Sequence, residues 1–203
     1  SRPGRPWPED GTLLRLSGTD RSFTITQVQA HYDPADWYPQ DHPPSSPDIV
    51  QRGRESDRLR ACAHCHYHNG QGKPENGHLT GLPVSYFVQQ LALFKSGGRT
   101  SADPRKANHA EMTQIARLLT DAEMRAAAEY FSSIAWKPWV KVIESEDAPK
   151  TRQSAAGLFI PLGEGNEPLG HRFIEVPEFP DRTERYRDPR AGFVAYVPMG
   201  SIE

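Results

Sequence analysis

Cys62-Ala63-His64-Cys65-His66 is the stretch on which the reading of this chain turns. A bare C-x-x-C is shared by dithiol redox pairs and half zinc sites. A histidine directly after it makes the attachment signature of a c-type haem. Two thiols at that spacing can add across the two haem vinyl groups, while the next imidazole reaches the iron from the same helical turn. His66 is then the proximal ligand. A zinc site would have to recruit His64, His68 or His78, because both cysteines of the chain already lie in the motif. That reading ranks below haem.

Composition fits a small protein that takes part of its core from a cofactor. Hydrophobic residues make up 36% of 203 residues, with 19 prolines and 16 glycines, which is thin for a core spread over the whole length. A buried haem adds apolar surface that side chains need not supply. The net charge of -2 gives no ground to expect nucleic acid or an anionic membrane as partner. With no cysteine left for a disulfide, compartment is read from the haem instead: covalent attachment takes place outside the cytoplasmic membrane, which points to the periplasm. No apolar run is long enough for a transmembrane segment, and none reads as a signal peptide. The chain is therefore expected to be a mature secreted or trimmed form.

Three regions are expected. Residues 1–45 read as an extended N-terminal arm, with a short strand at Thr12–Leu16. Phe23–Val28 alternates like a strand, although Thr24 could equally cap a short helix. Trp37 and Tyr38 anchor the arm by packing. Residues 46–139 read as a helical haem domain. Ser46 precedes Pro47 as a helix cap, Gly53 interrupts that helix, and Asn69–Gly77 is a loop around the haem edge. Pro83 opens a helix with Val84, Phe87, Leu91 and Phe94 on one face, ended by Gly97-Gly98. Asn108 and Glu111 suggest a capped helix carrying Met112, Ile115 and Leu119. Thr120-Asp121-Ala122-Glu123 is a capping box, followed by a buried stripe of Met124, Ala127, Phe131 and Ile134.

Residues 140–203 read as an extended C-terminal arm or connector. It has a strand at Val140–Ile143, a charged linker over 144–153, and apolar runs at 158–161, 173–177 and 193–198. These runs look too short for a separate core and are expected to lie over the helical domain, with 181–190 as a solvated loop. Their apolar content argues for an ordered segment, either a bridge that leads towards a partner or a second haem domain or a tail that ends there and only covers the haem domain.

From Cys62 to Ile134 the chain resembles the class I c-type cytochromes, and within them the cytochrome c4 type. The shared elements are Cys62 to His66, Gly70 and Gly72, Tyr86 with Gln90 and Leu91, Gly97 with Arg99, and Met112 ahead of Ile115-Ala116-Arg117-Leu118-Leu119-Thr120. The resemblance implies a mainly α cytochrome c fold, here flanked by arms with short strands. It also implies one covalent haem c, His66 and Met112 as iron ligands, and Arg99 as a candidate for a haem propionate. The chain departs from the pattern at Tyr67, where the family has glycine. It departs again at Gly77, where many members have a proline whose carbonyl accepts the Nδ1 hydrogen of the haem histidine. Relatives of this size often carry two haem domains, whereas this chain has one motif and could be the first half of such a protein.

The remaining candidates have plain structural readings beside them. Met124 is a core residue, and Met199 lies in an extended tail. His109 could replace Met112 as a second imidazole ligand but is expected in solvent, as are His64 and His68. Tyr86 either bonds a propionate or packs. The function expected is single-electron transfer to or from a partner oxidoreductase or another cytochrome domain, with no enzymatic chemistry of its own. The alternatives are a haem enzyme or gas sensor with an exchangeable distal position, and an electron-relay subunit of a larger complex.

Overall fold

The computed structural model describes residues 7–73, 76–102, 107–154 and 158–202. It divides into two compact units, one from Pro8 to Trp136 and the other from Lys137 to Glu203 together with Ser1–Trp7.

The first unit is mainly helical. It opens with a two-stranded antiparallel ladder, β1 (Leu14–Arg15) on β2 (Ser22–Phe23), and runs directly into α1 (Ile25–Val28). The ambiguity of Phe23–Val28 thus resolves into both readings in turn: Thr24 accepts from the Gln27 amide while the Gln27 side chain accepts from the Thr24 amide. Trp37 and Tyr38 are buried. The Trp37 ring meets Phe23 edge-on at 4.8 Å, and the Tyr38 hydroxyl donates to Ser17 O at 3.0 Å.

The helix expected after Ser46 is the short α2 (Asp48–Gln51), and its cap position is Pro47, with no capping bond from Ser46. Gly53 then turns the chain at φ 69, where an added Cβ would lie 2.4 Å from Leu59 O, so only glycine lets the two backbones meet. α3 (Cys62–His66) carries the motif. Next come α4 (Val84–Ser96), α5 (Ala107–Leu118) and α6 (Asp121–Ser132). Asn108 lies inside α5 and not at its cap. The Thr120–Glu123 capping box opens α6 as its sequence requires, with Thr120 N donating to Glu123 Oε2 at 2.8 Å.

Four helices and the turn at Leu59 bury one shared core. Ile49 and Val50, Ala63, Phe87 and Leu91, and Met124, Ala127, Ala128, Tyr130 and Phe131 all belong to it. The rings of Phe87 and Phe131 stack at 6.1 Å, joining α4 to α6.

The second unit corrects the expectation that its apolar runs could not build a core. β3 (Val140–Glu144) pairs parallel with β7 (Phe193–Val197), which pairs antiparallel with β6 (Ile174–Pro177). The residues read as a charged linker form β4 (Asp147–Gln153), antiparallel to β5 (Phe159–Pro168). Their register shifts between Pro149 and Thr151, where proline has no amide to give the ladder. Leu169, Ala148, Ile174 and Val176 make one buried cluster, and Leu158, Ile160 and Phe193 another. β7 supplies inward residues at every second position, Phe193, Ala195 and Val197, so runs distant in sequence close on one strand.

The stretch 181–190 is likewise not a plain solvated loop. It contributes most of α7 (Pro180–Glu184), and Asp188, 2% exposed, is held by Arg182 Nε at 2.7 Å.

Candidate haem site

α3 is a single turn, so Cys62 and Cys65 project from one side and His66 follows on the next residue. The loop after it returns to close the turn. Gly72 N donates to His66 O at 2.9 Å and Lys73 N to Cys65 O at 3.1 Å, which satisfies carbonyls that the helix end leaves open. Tyr67, at the position where the resemblance expects glycine, has φ 59 and ψ 164. That backbone favours glycine, and the strain is held in place by burial of the tyrosine ring.

The decisive geometry is at His66. Its Nδ1 lies 2.8 Å from Gly77 O. A carbonyl can only accept, so Nδ1 carries the hydrogen and Nε2 keeps the lone pair that binds a metal. Burial is the larger influence on the ring and pushes its pKa down to about 4, against the Gly77 bond, which raises it. The imidazole is neutral at pH 7, as a ligand must be. Gly72 makes this bond accessible: at φ 81 it passes so close to Gly77 O that a Cβ would sit 2.7 Å from it.

No disulfide joins Cys62 to Cys65, and burial, followed by the neighbouring Cys65, pushes Cys62 up to about 12. A dithiol redox pair needs the opposite shift, since its attacking sulfur must be a thiolate. The donor set therefore fits a c-type haem: two cysteines on one helical face, Cys62 among them uncharged, and a neutral imidazole whose Nε2 keeps its lone pair. Met112, half-buried on α5, packs against the same core cluster as Cys62. Asn76 ties the two segments together, accepting from Asn108 Nδ2 at 3.1 Å and donating to Cys65 O at 3.4 Å.

Tyr86 is 45% exposed on α4. The Arg99 guanidinium donates to Gln90 Oε1 at 2.7 Å and lies 4.7 Å above the Phe94 ring. His109 bonds Arg99 O through Nε2 at 2.8 Å. Met124 is buried in the core and Met199 exposed.

His64 and His68 overturn the expectation of solvent exposure, being 5% and 7% exposed. The cause is the N-terminal segment, which runs along the motif: His64 Nδ1 lies 2.8 Å from Ala30 O, and Ala61 N donates to His31 O at 3.0 Å. On the same side Tyr130 donates to His68 O at 2.8 Å, and His42 Nε2 lies 3.3 Å from Asp36 Oδ1. Sequence reading missed Asp36 and His42, because what brings them into the site is their approach to His68, distant in sequence.

Burial disfavours charge on both members of this pair, yet their mutual contact outweighs it. Asp36 is held below its ordinary 3.8 and His42 above its ordinary 6.5. The carboxylate's contribution is present above its unfolded pKa and lost as pH falls through the lowered folded one. The imidazolium's is present below its unfolded pKa and lost as pH rises through the raised one. The pair contributes in full between roughly pH 4 and 6.5. The gap in thermal midpoint between the natural protein and His42→Gln should be widest near pH 5.5 and shrink towards pH 8.5. A gap that stays constant across that range refutes the pairing.

Comparison with known proteins supports the same assignment. A model of the family described as Cytochrome c matches residues 50–135. The "Thiosulfate dehydrogenase electron acceptor" of Thiomonas intermedia is 36% identical over 76 residues, 36% of this chain and 31% of that protein. Cytochrome c4 of Azotobacter vinelandii is 24% identical over 146 residues, 66% of each chain. Cytochrome c-554(548) of Halomonas halodenitrificans is 32% identical over 78 residues, 38% of this chain and 88% of that one. The chain thus spans less than a third of the Thiomonas protein and most of the Halomonas one. With the C-x-x-C-H turn and a core of cytochrome type around it, this chain belongs to the cytochrome c family of electron-transfer proteins, whose haem c is covalently bound.

Proposed function

We propose that the chain holds one haem c through Cys62 and Cys65, with His66 and Met112 on its iron, and passes single electrons to or from a partner oxidoreductase. The haem supplies the one-electron couple. The protein's own part is to hold and tune it. The observation that carries this reading is the His66–Gly77 bond at 2.8 Å, which fixes the ring and leaves Nε2 to the metal.

Two protein ligands leave no open position for a substrate, so the proposed role is transfer and not catalysis. The N-terminal segment, bonded to the motif at His64 and Ala61, keeps water from one side of the turn. The partner reading draws on the Thiomonas relative, which by its name accepts electrons from thiosulfate dehydrogenase. We place the protein in the periplasm, where covalent haem attachment occurs. Among the described residues no helix is long and apolar enough to cross a membrane.

The test is direct. In acidified organic solvent the haem should stay with the polypeptide, whose mass should exceed that of the chain by one haem. A Cys62→Ser, Cys65→Ser protein should release all of it. Extraction from the natural protein refutes the attachment, and substrate turnover without a second protein refutes the carrier role.

A further inference from the structure

The helical unit contains a concavity, of about 760 Å³, between the Arg58 turn, the outer face of α5 and the segment at His31 and Tyr32. None of Cys62, Cys65, His66, Gly77 or Met112 is among its lining residues, so it is distinct from the proposed haem site.

Its charges do not cancel. Arg58, Arg60 and Arg117 line it together with Asp57 and Glu111. Arg60 Nη1 is taken by Glu111 Oε2 at 3.2 Å, and Asp57 is taken by Arg54. Among the described residues Arg58 and Arg117 have no carboxylate partner. Arg58 moreover sits at φ 57, left-handed backbone that an arginine occupies at a steric cost. Glycine or asparagine would relieve that strain and lose the guanidinium.

The rest of the lining is His31 and Gln114 together with apolar or aromatic surface from Ile115 and Leu118 of α5, the latter 42% exposed, and the ring of Tyr32. Sites of this size, with apolar walls and a few convergent polar groups, suit an organic ligand better than a bare inorganic ion. Two guanidiniums with no carboxylate partner among the described residues select for a carboxylate or phosphate head.

We propose that this cavity binds a small organic anion, its acidic group on Arg58 and Arg117 and its apolar body against Ile115, Leu118 and Tyr32. Titration calorimetry of the haem-loaded protein with phthalate, at low ionic strength, tests it. Binding should saturate at one phthalate per chain and weaken by about tenfold or more in Arg58→Gln and in Arg117→Gln, the loss of one charge-assisted contact. Inorganic phosphate should bind more weakly than phthalate. Arg125→Gln, which removes an equal charge from the exposed face of α6, should change nothing.

Four results overturn the proposal. They are no saturable phthalate binding, unchanged affinity in the two arginine variants, an equal loss in Arg125→Gln, or phosphate binding as tight as phthalate. An unchanged haem absorption spectrum in each variant shows that the fold is intact.

Discussion

In Met112→Ala protein the long-wavelength iron–sulfur absorption band should vanish and the reduction potential should fall by on the order of 100 mV, well inside the span of about 0.8 V that axial ligands control. The expectation rests on the proposed ligation. A thioether favours the reduced iron, and its replacement by water or nothing removes that preference. Alanine also leaves the helix intact, because it has the highest helical propensity of any residue, so the change is confined to the iron's surroundings. An unchanged spectrum would strike Met112 from the ligand set. His109, three residues earlier on α5, would be the next to test, although its Nε2 is already bonded to Arg99 O.

Phe131→Ala should destabilise the helical unit by about 3–5 kcal/mol, the usual range for deleting a large buried ring. Phe131 is 0% exposed, stacks on Phe87 at 6.1 Å and meets Tyr130 edge-on at 5.1 Å. It also lies under the loop that follows the motif: a Cβ on Gly70 would come within 2.8 Å of its ring. The cavity left by alanine would therefore lie beneath the backbone that closes α3, and no neighbour can fill it without moving that loop. Denaturant unfolding followed by helical circular dichroism gives the measurement. A loss below 1 kcal/mol would mean that the core collapses onto the gap and that Phe131 is not its centre.

The short-range parts of this protein could be read from sequence because their causes are short-range. The motif turn, the capping box at Thr120 and Glu123, the stop at Gly97 and the stripe of Met124, Ala127 and Phe131 each depend on residues within a few positions of one another, and the structure has all of them. The open choice at Thr24 was settled by a capping box from Thr24 to Gln27, which the sequence contains but which a competing alternation obscured.

What the tertiary structure alone decided involves partners far apart in the chain. His64 and His68 look like surface residues until Ala30, Asp36 and His42 are brought against them, because a polar side chain is buried only where another segment supplies its bond or its cover. The C-terminal runs look too short for a core until β7 pairs with β3 and β6 on either side. β7 buries only alternate residues, and only neighbours distant in sequence complete the face. The amino-acid sequence by itself determined the cofactor motif, the longer helices of the first unit and the family. Which side chains surround that motif, and that the tail has a core of its own, was decided by burial and pairing across the chain, energies that no local window contains.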